Sequence, residues 1–60
     1  MTLAQAKQLH NEDEVTIKET GEIVTVITAY TELINGKEKA FVEVCSGKLG
    51  YTKLMHDEIE

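Results

Sequence analysis

The chain has 60 residues, with six lysines, no arginine and eleven acidic residues, for a net charge of −5 at pH 7. A single domain of this size buries only about 60% of the surface its unfolded chain exposes, which leaves no room for a deep substrate cleft. Its negative balance runs against what a phosphate-tracking protein needs, so nucleic acid ranks behind protein as a partner.

Cys45 is the single cysteine. It excludes an intramolecular disulfide framework and fits a reducing compartment, so the expected location is the cytoplasm. Met1-Thr2-Leu3 leads into polar residues. There is neither a basic leader with an apolar run nor a stretch long enough to span a bilayer, and no membrane contact is expected.

Thr2-Leu3-Ala4-Gln5 fits a capping box, and a short helix is expected over residues 1–10 with Leu3, Ala6 and Leu9 on one stripe. A helix this short is not stable alone in water and must dock. From Glu14 the period changes to two, with Val15 and Ile17 alternating with Thr16 and Lys18 before a turn at Glu19-Thr20-Gly21-Glu22. The long run from Ile23 to Ile34 must coil or bend, and Ile23, Val24, Val26 and Ile27 at its start are expected to occupy both faces.

Asn35-Gly36 supplies the two positive-φ residues of a type I′ turn and fixes the register of the hairpin around it. Ile34 then pairs with Lys37, Glu32 with Lys39, Thr31 with Ala40, Tyr30 with Phe41, Ala29 with Val42, Thr28 with Glu43 and Ile27 with Val44. If Ser46 to Gly50 loop out, Cys45 meets Tyr51, Val44 meets Thr52, Glu43 meets Lys53, Val42 meets Leu54 and Phe41 meets Met55. The expected core face is Val15, Ile17, Ile27, Ala29, Val42, Val44 and Leu54. The opposite face carries Tyr30, Phe41, Met55, Cys45 and Tyr51, bordered by Glu32 with Lys39 and Glu43 with Lys53. His56 to Glu60 reads as a tight turn whose Ile59 returns to plug the end of a barrel.

This order of elements resembles small SH3-like barrels over residues 13–60, and Asp13 to Val26 is similar to the opening of KOW-type modules. Small acidic barrels of this kind are similar to uncharacterised proteins of bacterial and phage genomes. The resemblance implies a mainly β domain over residues 1–60, with four or five antiparallel strands behind a short N-terminal helix. KOW-type modules carry basic loops, whereas this chain has Asp13, Glu19 and Glu22 there.

Cys45, His56 and Asp57 have the residue types of a nucleophile, base and orienting acid, but the register sets Cys45 about five strand residues from His56, too far for proton transfer. His10, His56 and Cys45 lack the close paired spacing of a zinc site. The four glycines sit in turns and form no phosphate loop. The chain is therefore expected to be non-enzymatic, without cofactor or metal.

The functional expectation is a protein-interaction module that binds a partner or itself. Tyr30 and Phe41 stand at the contact centre, Tyr51 and Met55 beside them, and Glu32, Lys39, Glu43 and Lys53 at the rim. Truncation of Phe41 is expected to weaken the complex and leave the fold. The alternative is a KOW-like nucleic-acid module that stacks bases on the same rings between Lys39 and Lys53. The N-terminal helix is a competing cover for this face, beginning at Val24, Val26 and Cys45.

Overall fold

The computed structural model describes residues 1–48 and 50–60. It contains α1 (Leu3–Ala6), β1 (Glu14–Thr16), β2 (Ile23–Ile34), β3 (Lys37–Ser46), β4 (Gly50–Met55) and a 3₁₀ turn, His56–Glu58. The strands form one antiparallel sheet in the order β1-β2-β3-β4. The sheet curls into a half-barrel.

The capping box forms as expected. The Gln5 amide donates to the Thr2 hydroxyl at 3.1 Å, and the Thr2 amide donates to Gln5 Oε1 at 3.0 Å. The α-helix nevertheless stops at Ala6, short of the expected His10, because the next amides reach back only three residues, Gln8 to the Gln5 carbonyl and Leu9 to that of Ala6. This tighter turn carries Leu9 onto the core. The His10 amide then donates to Asp13 Oδ2 at 2.8 Å, and Glu12 takes a φ of +79°, which ends any helical path.

Asn35 and Gly36 have φ values of +52° and +78°, as a type I′ turn requires. The β2–β3 register follows from it over Ile34↔Lys37 to Thr28↔Glu43. Every expected β3–β4 pair forms, from Phe41↔Met55 to Cys45↔Tyr51, and Ser46 also pairs with Gly50. The expected Ser46–Gly50 loop includes Leu49, which lies outside the described residues.

One expected pair is wrong. Ile27 does not meet Val44: a bulge between Val26 and Thr28 leaves Ile27 unpaired, so that Val26 faces Val44 and Thr25 faces Cys45. The extra residue reverses the alternation of β2. Val24 and Val26 turn to the same side as Ala29, and the core is Val15, Ile17, Val24, Val26, Val42, Val44 and Ile59, with Met1, Leu9, Ala29 and Leu54 packed against it. Ile27 drops out of the expected core, and Ile23 at the strand's start is exposed.

Ile59 is fully buried and bridges Ile17. The Lys18 amide donates to the Glu58 carbonyl and the Glu60 amide to the Thr16 carbonyl, each at 3.0 Å, so the tail pairs with the end of β1 and closes that side of the half-barrel. The Met55 amide is held by Glu58 Oε2 at 2.8 Å, which sets the 3₁₀ turn, and the Met1 nitrogen donates to the Ile59 carbonyl.

Two substitutions test this account. Ile59→Ala removes a fully buried side chain at a cost of about 2–5 kcal/mol, comparable to the whole stability of a domain this small, so its β-sheet circular dichroism is expected to collapse at 25 °C. Gly36→Ala meets no atom within 4 Å. Its cost is therefore backbone strain alone, expected at about 1 kcal/mol in urea denaturation.

Candidate functional site: the outer face of β2–β4

The outer face is built in cross-strand rows. Tyr30, Phe41 and Met55 form one row across β2, β3 and β4. Thr28, Glu43 and Lys53 form the next, and Thr25, Cys45 and Tyr51 the one beyond. Glu32 and Lys39 border the aromatic row on the hairpin side.

Phe41 holds the middle of its row and is packed from several directions. Tyr30 stacks on it with centroids 5.8 Å apart and planes at 28°, and Lys53 Nζ lies 5.0 Å from its centroid. Phe41 is left 8% exposed. Phe41 is thus the floor of the face, and its truncation removes a buried anchor rather than sparing the fold. Tyr30, Met55, Cys45 and Lys39 are half-buried, while Glu32, Glu43 and Lys53 are exposed. Tyr51 is 81% exposed.

The helix does not cover these residues. Lys7 of the turn after α1 pairs with Glu38 at 2.8 Å, and Glu38 shares the side of β3 that carries Ala40, Val42 and Val44. Ala6 and Ala40 are both buried, as small residues must be where a helix lies close to a strand. The helix extends the core layer, and Val24 and Val26, the expected start of its contact with the outer face, belong to that core as well.

The rim charges do not close into ion pairs. Glu43 and Lys53 are register partners, yet Lys53 places its ammonium over the Phe41 ring, where the ring's negative face attracts it. Among the described residues Lys7 pairs with Glu38, and the exposed His10 Nδ1 lies 3.9 Å from Asp13 Oδ2. Each rim lysine therefore has a carboxylate in register beside it, Lys39 with Glu32 and Lys53 with Glu43, and the local positive field is small.

The other candidate constellations are spread apart. Cys45 is a free thiol opposite Tyr51, whereas His56 follows the far end of β4, about 13 Å along the ladder at the strand rise. His56 Nδ1 accepts the Ala40 amide at 3.4 Å, a role in holding the tail. Among the described residues no group of three His, Cys, Asp or Glu side chains is placed to hold a metal ion, and no helix is long and apolar enough to cross a membrane. The shallow concavity between Thr20, Gly21, Glu22 and Lys48 shares no residue with the outer face.

Sequence reasoning missed the exposure of Leu33 and Ile34 near the hairpin tip and of Ile23. The signal was available, since a β2–β3 hairpin longer than either neighbouring strand has to run past them.

The contrast between Phe41 and Tyr51 can be measured. Phe41→Ala is expected to cost about 3–5 kcal/mol and unfold much of the domain. Tyr51→Ala is expected to change stability by no more than about 0.5 kcal/mol. No protein-family model, no curated protein and no solved structure matches this chain, so its functional reading rests on this geometry.

Proposed function

We propose that this chain is a non-enzymatic interaction module, an SH3-like barrel of the reducing cytoplasm that binds a protein partner, or itself, through the outer face of β2, β3 and β4. The observation that carries the reading is Tyr51, a large amphipathic ring raised almost wholly into solvent on the face whose floor is Phe41, Tyr30 and Met55, two cross-strand rows away past Glu43 and Lys53. Aromatic rings bring large contact area at low entropic cost and dominate binding energy where a pocket on the partner receives them. Glu32, Lys39, Glu43 and Lys53 form a mixed-charge rim that suits orientation and exclusion of wrong partners. The 3₁₀ turn followed by a residue that returns to β1 supports the SH3-like assignment.

The second reading uses the same rings as a stacking surface for a single nucleic-acid strand, with Lys39 and Lys53 along the phosphates. The position of Lys53 over Phe41 favours it. The carboxylates in register with both lysines oppose it.

Affinity capture from native lysate at physiological salt, with eluted proteins and nucleic acids both identified, separates the two. A stoichiometric protein captured by the wild-type chain and lost with Tyr51→Ala is the expected result. Capture unchanged by Tyr51→Ala would remove the outer face from the account. Nucleic acid that elutes with rising salt and is lost with Lys53→Glu would establish the second reading in its place.

A further inference from the structure

We infer that the free edge of β2 pairs with the same edge of a second copy, making an antiparallel dimer centred on Thr31. This interface is distinct from the outer face. It begins with the directions of main-chain groups.

The turn at Asn35-Gly36 makes Ile34↔Lys37 a hydrogen-bonded pair, so the main-chain groups of Ile34, Glu32, Tyr30 and Thr28 point at β3. Those of Leu33, Thr31 and Ala29 point away from it. β1 pairs only with Ile23, Val24 and Thr25 of β2. The covering chain reaches Val26, whose amide donates to the Asp13 carbonyl and whose carbonyl accepts the Glu12 amide, and ends with the Asn11 side chain on the Ile27 carbonyl. Beyond that point, no described residue bonds to the outward amides and carbonyls of Ala29, Thr31 and Leu33.

Protein edges are normally blunted by lysine, proline, a bulge or a covering loop. The free segment has none of these. Thr28-Ala29-Tyr30-Thr31-Glu32-Leu33-Ile34 contains one charge and no proline, and its residues favour strands. Leu33 is 77% exposed and Ile34 42% exposed.

A second copy brings a free edge of the same kind, and charge and sterics choose its register. Outward-pointing residues must meet outward-pointing residues, so the two-fold axis falls at a residue between Ala29 and Leu33. At Ala29 it would set Thr31 against the covered Ile27 bulge and at Leu33 against the Asn35 turn, which leaves Thr31, Glu32 and Tyr30. An axis at Glu32 sets two carboxylates directly opposite each other, which is repulsive. An axis at Tyr30 drives Leu33 against the Ile27 bulge and the Asn11 that covers it. The axis at Thr31 pairs Thr31 with Thr31, Ala29 with Leu33, Tyr30 with Glu32 and Thr28 with Ile34. It satisfies about six main-chain hydrogen bonds and gives each exposed leucine a small apolar neighbour.

The test is sedimentation equilibrium of the full chain over a range of concentrations, with hydrogen exchange read by NMR at low and high concentration. The inference predicts a reversible dimer in which the Ala29, Thr31 and Leu33 amides exchange more slowly as concentration rises. Thr31→Pro deletes an outward amide that the fold does not use, and Thr31→Lys sets two ammonium groups opposite each other. Each should raise the dissociation constant at least several-fold with the circular dichroism of the wild type. If the proline strains β2 and unfolds the chain, the lysine variant carries the test, because Thr31 is exposed. Tyr51→Ala should leave the dimer unchanged, which separates this edge from the outer face. A wild-type chain that stays monomeric to millimolar concentration overturns the inference. A dimer indifferent to Thr31→Lys, or one whose outward amides exchange at the same rate at both concentrations, does so as well.

Discussion

The bulge at Ile27 is the constraint on which the rest of this structure depends. A strand twelve residues long that alternated without interruption would send Val24 and Val26 to one face and Ala29 to the other. One unpaired residue reverses the parity, so all three serve the same core, and the added bend and twist let β2 belong to both halves of a curled sheet. The valine pairs Val15–Val24 and Val26–Val44 then stack into one apolar layer. Asn11, Glu12 and Asp13 cover the bulge from outside and bring β1 into register, so the start of the sheet is tied to its irregular point.

A layer this thin needs both ends covered, and the chain does this with segments that have little regular structure of their own. Ile59 is delivered by a single 3₁₀ turn and fills the open side, while Ala6 arrives from a helix of one turn and Leu9 from the tighter turn that follows it. The core consumes these elements, so none is left over for the outer face. That face lowers its own exposure by stacking Tyr30 and the Lys53 ammonium on Phe41, and Tyr51 remains above it. The same economy of chain leaves the distal half of the β2–β3 hairpin without a neighbour on its β2 side.

Much of this was legible in the residues because turn chemistry fixes register. Asn35-Gly36 determined the hairpin pairs from Ile34↔Lys37 to Thr28↔Glu43, and the separate glycine-bearing turn between Ser46 and Gly50 set the β3–β4 pairs. Thr2 and Gln5 announced the capping box, and Ile59, alone among polar residues, announced the plug. The bulge was not legible, because it carries no glycine and Ile27 looks like any other β-branched residue in a continuous run. Three errors share that origin: the Ile27↔Val44 pair, the place of Ile27 in the core, and the assignment of Val24 and Val26 to the outer face. The burial of Phe41 was hidden for another reason. It depends on how neighbouring rings and a lysine stem fold over one position, which alternation does not encode.

Cross-strand NMR contacts around residues 25 to 29 test the central claim most directly. The Val26 amide and carbonyl both bond to the Glu12–Asp13 segment, so against β3 Val26 belongs to a close, non-hydrogen-bonded pair. The account predicts an Hα–Hα contact between Val26 and Val44, a second between Ala29 and Val42, and none between Ile27 and β3. An Hα–Hα contact between Ile27 and Val44 would mean a regular strand. It would return Val24 and Val26 to the outer face and dismantle the core described here.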